Sequence, residues 1–208
     1  MENFNSKYWQ LFDDSDDSSW ERVAGTGSSP GCLQGHSMVE YQDTLYVFGG
    51  ELSFCNDQET PLWMFDIKTS VWSKYQAPRG VVTPKGRRGH SAVVWEDSMY
   101  VYGGYQDLRG SSSELWTFHF PSHTWHLVSQ GGAGDYLTPS LAKHHHSAVV
   151  HNSAMWVFGG MSDLQERSDL WKFDFGEFWL FLKKHLYYCQ SNWSVESRGQ
   201  CRELINVD

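Results

Sequence analysis

Short apolar runs broken by polar pairs recur along this chain in a fixed order. Three sixteen-residue segments align without a gap: GHSMVEYQDTLYVFGG from Gly35 to Gly50, GHSAVVWEDSMYVYGG from Gly89 to Gly104, and HHSAVVHNSAMWVFGG from His145 to Gly160. Runs such as Ser91-Ala92-Val93-Val94 and Met99-Tyr100-Val101-Tyr102 are rich in β-branched and aromatic residues, and so predict strands. Asp43-Thr44 and Glu96-Asp97-Ser98 fall between two such runs, where a hairpin turn belongs. The pairs Gly49-Gly50, Gly103-Gly104 and Gly159-Gly160 end each second strand, where the backbone needs torsions that side chains disfavour.

A second block follows each glycine pair: LWMFD at Leu62–Asp66, LWTFHF at Leu115–Phe120 and LWKFDF at Leu170–Phe175. These blocks, holding Trp63, Trp116 and Trp171, predict a third strand per unit. A lone tryptophan, Trp72 or Trp125, marks a fourth strand in the first two units. The start-of-strand histidines His36, His90 and His146 are 54 and 56 residues apart, a period that signals a repeat architecture. No amphipathic helix is predicted before residue 176.

Four antiparallel strands per repeat make the blade of a β-propeller. The glycine pairs, the spaced aromatics and the period together resemble the kelch motif over roughly residues 8–175, and specifically the plain kelch-domain-containing and leucine-zipper-like regulator groups. The expected fold is therefore all-β: an incomplete kelch-type β-propeller of about three blades with a divergent C-terminal tail. The expected organisation is a half blade at 8–23, blades at 35–79 and 89–129, an incomplete blade at 145–175, and a tail at 176–208 outside the 1–175 propeller region. In the half blade, Tyr8–Asp13 reads as a third strand and Ser19–Val23 as a fourth. After Phe175 the pattern fails, and Phe178–Cys189 fits a short helix or an irregular strand. This break is what a truncated or alternative form of a longer kelch protein would have. An open arc would leave blade faces wet, which predicts marginal stability and self-association through them.

Composition narrows the function. Aromatics reach 16% with 11 Trp, a large payload for a packed core, and the tryptophans' fixed place in each unit favours packing between blades over ligand stacking. A net charge of −9 argues against nucleic acid as a partner. No run is apolar for long enough to suggest a membrane partner. Four scattered cysteines without a CxxC pair, and the lack of a basic start with an apolar stretch, point to a reducing, cytoplasmic setting. Asn192-Trp193-Ser194 reads as a chance glycosylation triplet in that setting.

Candidate chemistry is sparse. His144-His145-His146 invites a metal reading, but strand neighbours alternate faces and His146 occupies a repeated position, so no metal or other cofactor is expected. The glycine pairs lack the phosphate-loop pattern, and the His-Ser pairs lack a nucleophile elbow. The acidic run Asp13–Asp17 reads as a solvated turn. Some kelch-type propellers hold a catalytic copper, but the Tyr–Cys pair this requires is not visible, and no enzymatic activity is expected.

The connectors after the glycine pairs and before the first strands differ in length and charge. Variable loops on a repeated scaffold are where binding usually resides. Arg87, Arg88, Tyr105, Arg109 and Arg167 in these loops are the candidate contacts, the arginines because guanidinium makes bidentate bonds to acidic groups. The resemblance implies an interaction scaffold or adaptor for a protein partner, such as a substrate receptor or a regulator within a larger assembly. The alternative expectation is a truncated product with no independent function.

Overall fold

A computed structural model describes residues 20–52, 62–131 and 142–176, which are almost wholly strand, turn and coil. Three antiparallel sheets follow one another along the chain. In the first, Ser37–Tyr41 pairs with Thr44–Phe48, which pairs with Leu62–Asp66, which pairs with Val71–Lys74. The second repeats this order with Ser91–Trp95, Ser98–Tyr102, Leu115–His119 and Thr124–Ser129. The third comprises Ser147–His151, Ala154–Phe158 and Leu170–Asp174. These are the blades of an incomplete β-propeller, and the described residues form no closed barrel.

The local chemistry of each sheet explains its shape. Innermost hairpins turn through two-residue loops, and Gln42, Asp43, Glu96, Asn152 and Ser153 take φ between 47° and 61° there. Such torsions match the twist of the flanking strands. Thr44 and Ser98 lie in the following strands rather than in the turns. The glycine pairs leave the second strand with φ of 66° and 93°, 67° and 96°, and 68° and 89°. A Cβ on Gly104 would stand 2.8 Å from the Cβ of His90, so the close approach of the segment leading into the sheet's own first strand also demands glycine.

Sequence reading did not anticipate the two-residue strands. Leu33–Gln34 pairs with Glu51–Leu52, Tyr105–Gln106 with Gly110–Ser111, and Met161–Ser162 with Gln165–Glu166. Thr26–Gly27 adds a parallel edge to the first sheet by pairing with Val71–Trp72. The proposed opening strand Tyr8–Asp13 lies outside the described residues, as do Ser19 and the tail from residue 177. Trp20–Val23 corrects the expectation of a strand at 19–23: these residues are exposed and outside any sheet, and among the described residues no inner strand pairs with them.

The core lies between the sheets. Tyr46, Phe48 and Leu62 of the first sheet meet Met99, Val101, Trp116, Phe118 and Trp125 of the second, with Phe120 just beyond it. Tyr100, Tyr102 and Leu115 of the second then meet Met155, Val157 and the adjoining Phe175 of the third. Strand alternation makes this possible, since successive side chains point to opposite faces. Val39 and Tyr41 face the second sheet, Ala92 and Val94 face back to the first, and Val93 and Trp95 face on to the third. Trp116 and Trp125 sit in the first of these clusters, whereas Trp72 packs on Phe65 of its own sheet. Trp63 carries the Lys74 ammonium 5.8 Å from its ring, and Trp171 remains partly exposed.

Each seam between sheets repeats one set of contacts. Ser37 Oγ lies 2.7 Å from His90 Nε2, and Ser91 Oγ lies 2.9 Å from His146 Nε2. The Gly50 amide donates to the Arg87 carbonyl, and the Gly104 amide to the Lys143 carbonyl. Nearer the innermost strands, the Gly89 amide donates to the Gly35 carbonyl, and the His145 amide to the Gly89 carbonyl. At the opposite end Phe120 stacks on Tyr41 at 4.2 Å, and Phe175 stacks on Trp95 at 4.7 Å.

Candidate protein-binding surface

The loops after the glycine pairs and those before the first strands meet at one end of the sheets. Arg88 and Tyr105 exchange backbone hydrogen bonds there, as do His144 and Met161. The second and third sheets thus each carry a short hairpin braced by the segment that leads into the sheet's own first strand.

The candidate arginines separate in this setting. Arg87 is a correction to the expectation of a partner-facing anchor. Its side chain is buried, with Nη2 2.6 Å from Glu114 Oε2, Nη1 donating to the Gly103 carbonyl and Nε to the Lys85 carbonyl. Lys143 takes the same place in the third sheet: buried, its Nζ lies 2.9 Å from Asp169 Oδ1. Burial pushes the Glu114 carboxyl up, but the bonds from Arg87 and Trp116 outweigh it and hold the group below its ordinary value. Buried guanidinium with a carboxylate partner fixes the loop base rather than presenting charge to a visitor.

Arg88 is presented differently. Its guanidinium pairs with the exposed Asp107 and lies 4.8 Å from the centre of the Tyr105 ring. Tyr105 in turn meets the His144 ring edge-on at 5.4 Å. Arg109 is exposed beside them. Arg167 is half-buried, and its amide donates to the Gly160 carbonyl, which places it in the hairpin framework. The structure therefore groups Tyr105 and Arg109 on one hairpin with Arg88 on the segment that braces it, and sets Arg87 and Arg167 apart.

The three adjacent histidines do not converge. His144 Nδ1 lies 2.9 Å from Ser111 Oγ, His146 bonds Ser91 inside the seam, and the His145 ring lies against Gly89. Desolvation, helped by His145 and Arg88, lowers the pKa of His144. Burial, helped by Lys143, lowers that of His146 to about 4.

Two further residues stand out that sequence reading passed over. Leu108 is 89% exposed and Leu164 is 91% exposed, each at the tip of its hairpin. The signal was available: Asp107-Leu108 and Asp163-Leu164 stand at the same distance past their glycine pairs. Reading those loops as wholly variable concealed it.

Residues 2–179 match the family model of the KLHDC2/KLHL20/DRC7 Kelch-repeats domain. Kelch domain-containing protein 3 of Bos taurus is 37% identical over 135 residues, covering 62% of this chain and 32% of that protein. The leucine-zipper-like transcriptional regulator 1 homolog of Drosophila melanogaster is 30% identical over 161 residues, covering 73% of this chain and 15% of the relative. Multiple epidermal growth factor-like domains protein 8 of Mus musculus is 29% identical over 189 residues, covering 82% of this chain and 7% of the relative. The chain thus spans a third or less of the length of these relatives.

Proposed function

Given that this chain belongs to the kelch-repeat family, we propose that it is a protein-binding scaffold that engages its partner through the hairpin end of the sheets and performs no catalysis itself. Kelch-repeat relatives generally serve as protein-interaction and adaptor domains. One observation carries the reading: two leucines project from braced hairpins at equivalent positions, one of them on the hairpin whose Tyr105 lies under the Arg88 guanidinium. Large apolar side chains exposed on a braced loop, with a charged group nearby, make the centre and rim of a contact patch. Arg88, Tyr105 and Arg109 supply the polar rim, and an acidic or amide-rich partner segment suits them. An adaptor role in a larger assembly, in a reducing cytoplasmic setting, completes the proposal. The exposed, unpaired Cys32 fits such a setting. Among the described residues no helix is long and apolar enough to cross a membrane. The outward faces of the end sheets add a second contact mode, self-association.

Affinity capture followed by mass spectrometry tests the loop reading. The chain and a Leu108→Asp/Leu164→Asp variant are compared at matched expression. The variant should lose its specific partners by tenfold or more, while its unfolding free energy stays within about 0.5 kcal/mol, as for ordinary surface changes. An unchanged partner set would rule out the hairpin tips as the docking site.

A further inference from the structure

The hairpin end holds a titratable group that the loop reading leaves without a task. His144 ties together the two hairpins that carry the exposed leucines. Its backbone exchanges both hydrogen bonds with Met161 of the third sheet's hairpin. Its side chain reaches the other way, to the hairpin of the second sheet. There Nδ1 lies 2.9 Å from Ser111 Oγ, and the ring meets the Tyr105 ring at 5.4 Å. His144 is half-buried in this position.

The charges around the imidazole are mostly of one sign. The Arg88 guanidinium lies 4.8 Å from the centre of the same Tyr105 ring. The exposed His145 ring is 4.9 Å away, and Lys143 and His146 lie on the same segment. Met161 brings no charge from the third sheet's hairpin. Nearby acids are already engaged: Asp107 by Arg88, Glu114 by Arg87 and Asp169 by Lys143. Among the described residues no carboxylate pairs with His144. Desolvation, His145 and Arg88 lower its pKa, so the ring is neutral at pH 7. A proton placed there has repulsive neighbours and lacks a counter-ion, which a carboxylate from a partner would supply. The local bonding tolerates the change, because a serine hydroxyl can donate to a neutral Nδ1 and accept from a protonated one. The tie between the hairpins therefore survives protonation.

From this arrangement we infer that His144 is a proton-linked contact for an acidic partner segment, taking up a proton as a partner carboxylate docks beside Tyr105 and Arg88. This role rests on the loop reading and adds to it the partner's charge and the pH dependence of its capture. A docked carboxylate favours the charged ring, so the complex holds more protons than the free chain. Affinity for an acidic segment then climbs as pH falls through the weakly acidic range. An exposed charge pair of this kind is worth about threefold in affinity. A segment without carboxylates gains nothing.

Fluorescence anisotropy with a dye-labelled, end-blocked Asp-Leu-Asp-Asp-Leu-Asp peptide provides the test, with the peptide carrying Asn in place of Asp as control. The probe's carboxylates stay ionised between pH 7.5 and pH 5.5, and tryptophan fluorescence verifies that the chain is folded at both. The acidic peptide should bind about threefold more tightly at pH 5.5, and the control equally at both. His144→Gln should abolish the rise, whereas His145→Gln should keep it. His144→Arg carries its charge permanently and should bind at pH 7.5 as the unmodified chain binds at pH 5.5. The His144 imidazole, followed by NMR, should titrate at higher pH once the acidic peptide is added. Leu108→Asp/Leu164→Asp should weaken the peptide at both pH values. No change in that variant, with the His144 effect intact, would count against the leucines alone. A leucine effect without pH dependence would count against His144 alone. Equal binding at both pH values, a rise that survives His144→Gln, or no binding of the acidic peptide at all would overturn the proton-linked contact.

Discussion

Acidification should destabilise this chain well above the pH at which its carboxylates protonate. His90 and His146 are buried in the two seams, each tied through Nε2 to a serine of the neighbouring sheet. Burial, aided by the Arg87 charge, lowers the pKa of His90 to about 3. Burial, aided by Lys143, lowers that of His146 to about 4. In the unfolded chain both rings titrate near the ordinary value of about 6.5. Below that pH the unfolded state binds protons that the folded state refuses, so stability falls as pH falls, until the folded values are reached. Between pH 7 and pH 5 each ring contributes a loss of roughly 2 kcal/mol, so the pair contributes ~4 kcal/mol. Desolvation also lowers the pKa of His126 and His144, which adds loss of the same sign. Against a typical domain stability of roughly 5–15 kcal/mol, this is a large share. Asp66, Glu114 and Asp169 are held below their ordinary values, and their contribution is lost only at lower pH. Urea unfolding followed by tryptophan fluorescence at pH 7, 6 and 5 measures the effect, at one fixed protein concentration because association would add to apparent stability. His90→Gln should remove about half of the pH dependence, and His90→Gln/His146→Gln most of it. Equal stability at pH 7 and pH 5, or an undiminished slope in the double variant, would refute the reasoning.

The glycines and the buried ion pair give two further expectations. Gly104→Ala should cost about 3 kcal/mol, combining a positive φ with a clash at His90, whereas Gly110→Ala, also at positive φ but with open space around it, should cost ~1 kcal/mol; thermal unfolding of the two variants side by side checks the ranking. Arg87→Leu strands the Glu114 carboxylate and the Gly103 carbonyl and should lower stability by about 3 kcal/mol. Arg87→Leu/Glu114→Leu should recover part of that loss, and a urea-denaturation cycle over the four proteins measures the coupling.

The strands were legible because each repeat writes its buried positions with the same residue types. Leu62-Trp63-Met64-Phe65 and Leu115-Trp116-Thr117-Phe118 alternate between the two faces of their sheets, and a one-residue slip would bury the wrong set. The two-residue strands were not legible, since pairs such as Leu33–Gln34 and Glu51–Leu52 are held by backbone bonds and carry no apolar alternation. Arg87 shows why the candidate site was read less well than the fold. An arginine in a polar loop looks like a surface anchor until its carboxylate partner is located 27 residues away. The recurrence of a basic residue three before the strand histidine (Arg87, Lys143), and of an acid before the Leu-Trp pair (Glu114, Asp169), was nevertheless present in the chain. Leu108 and Leu164 carried a signal of the same kind.

The ladder from Gly35 through Gly89 to His145 ties each sheet only to its immediate neighbours. A whole unit cut from the middle of such a chain, or copied into it, would find the same bonding partners on either side. Gene duplication can thus lengthen or shorten this architecture by complete repeats without redesigning any junction, and an engineer could graft the middle unit as a cassette and expect its neighbours to accept it.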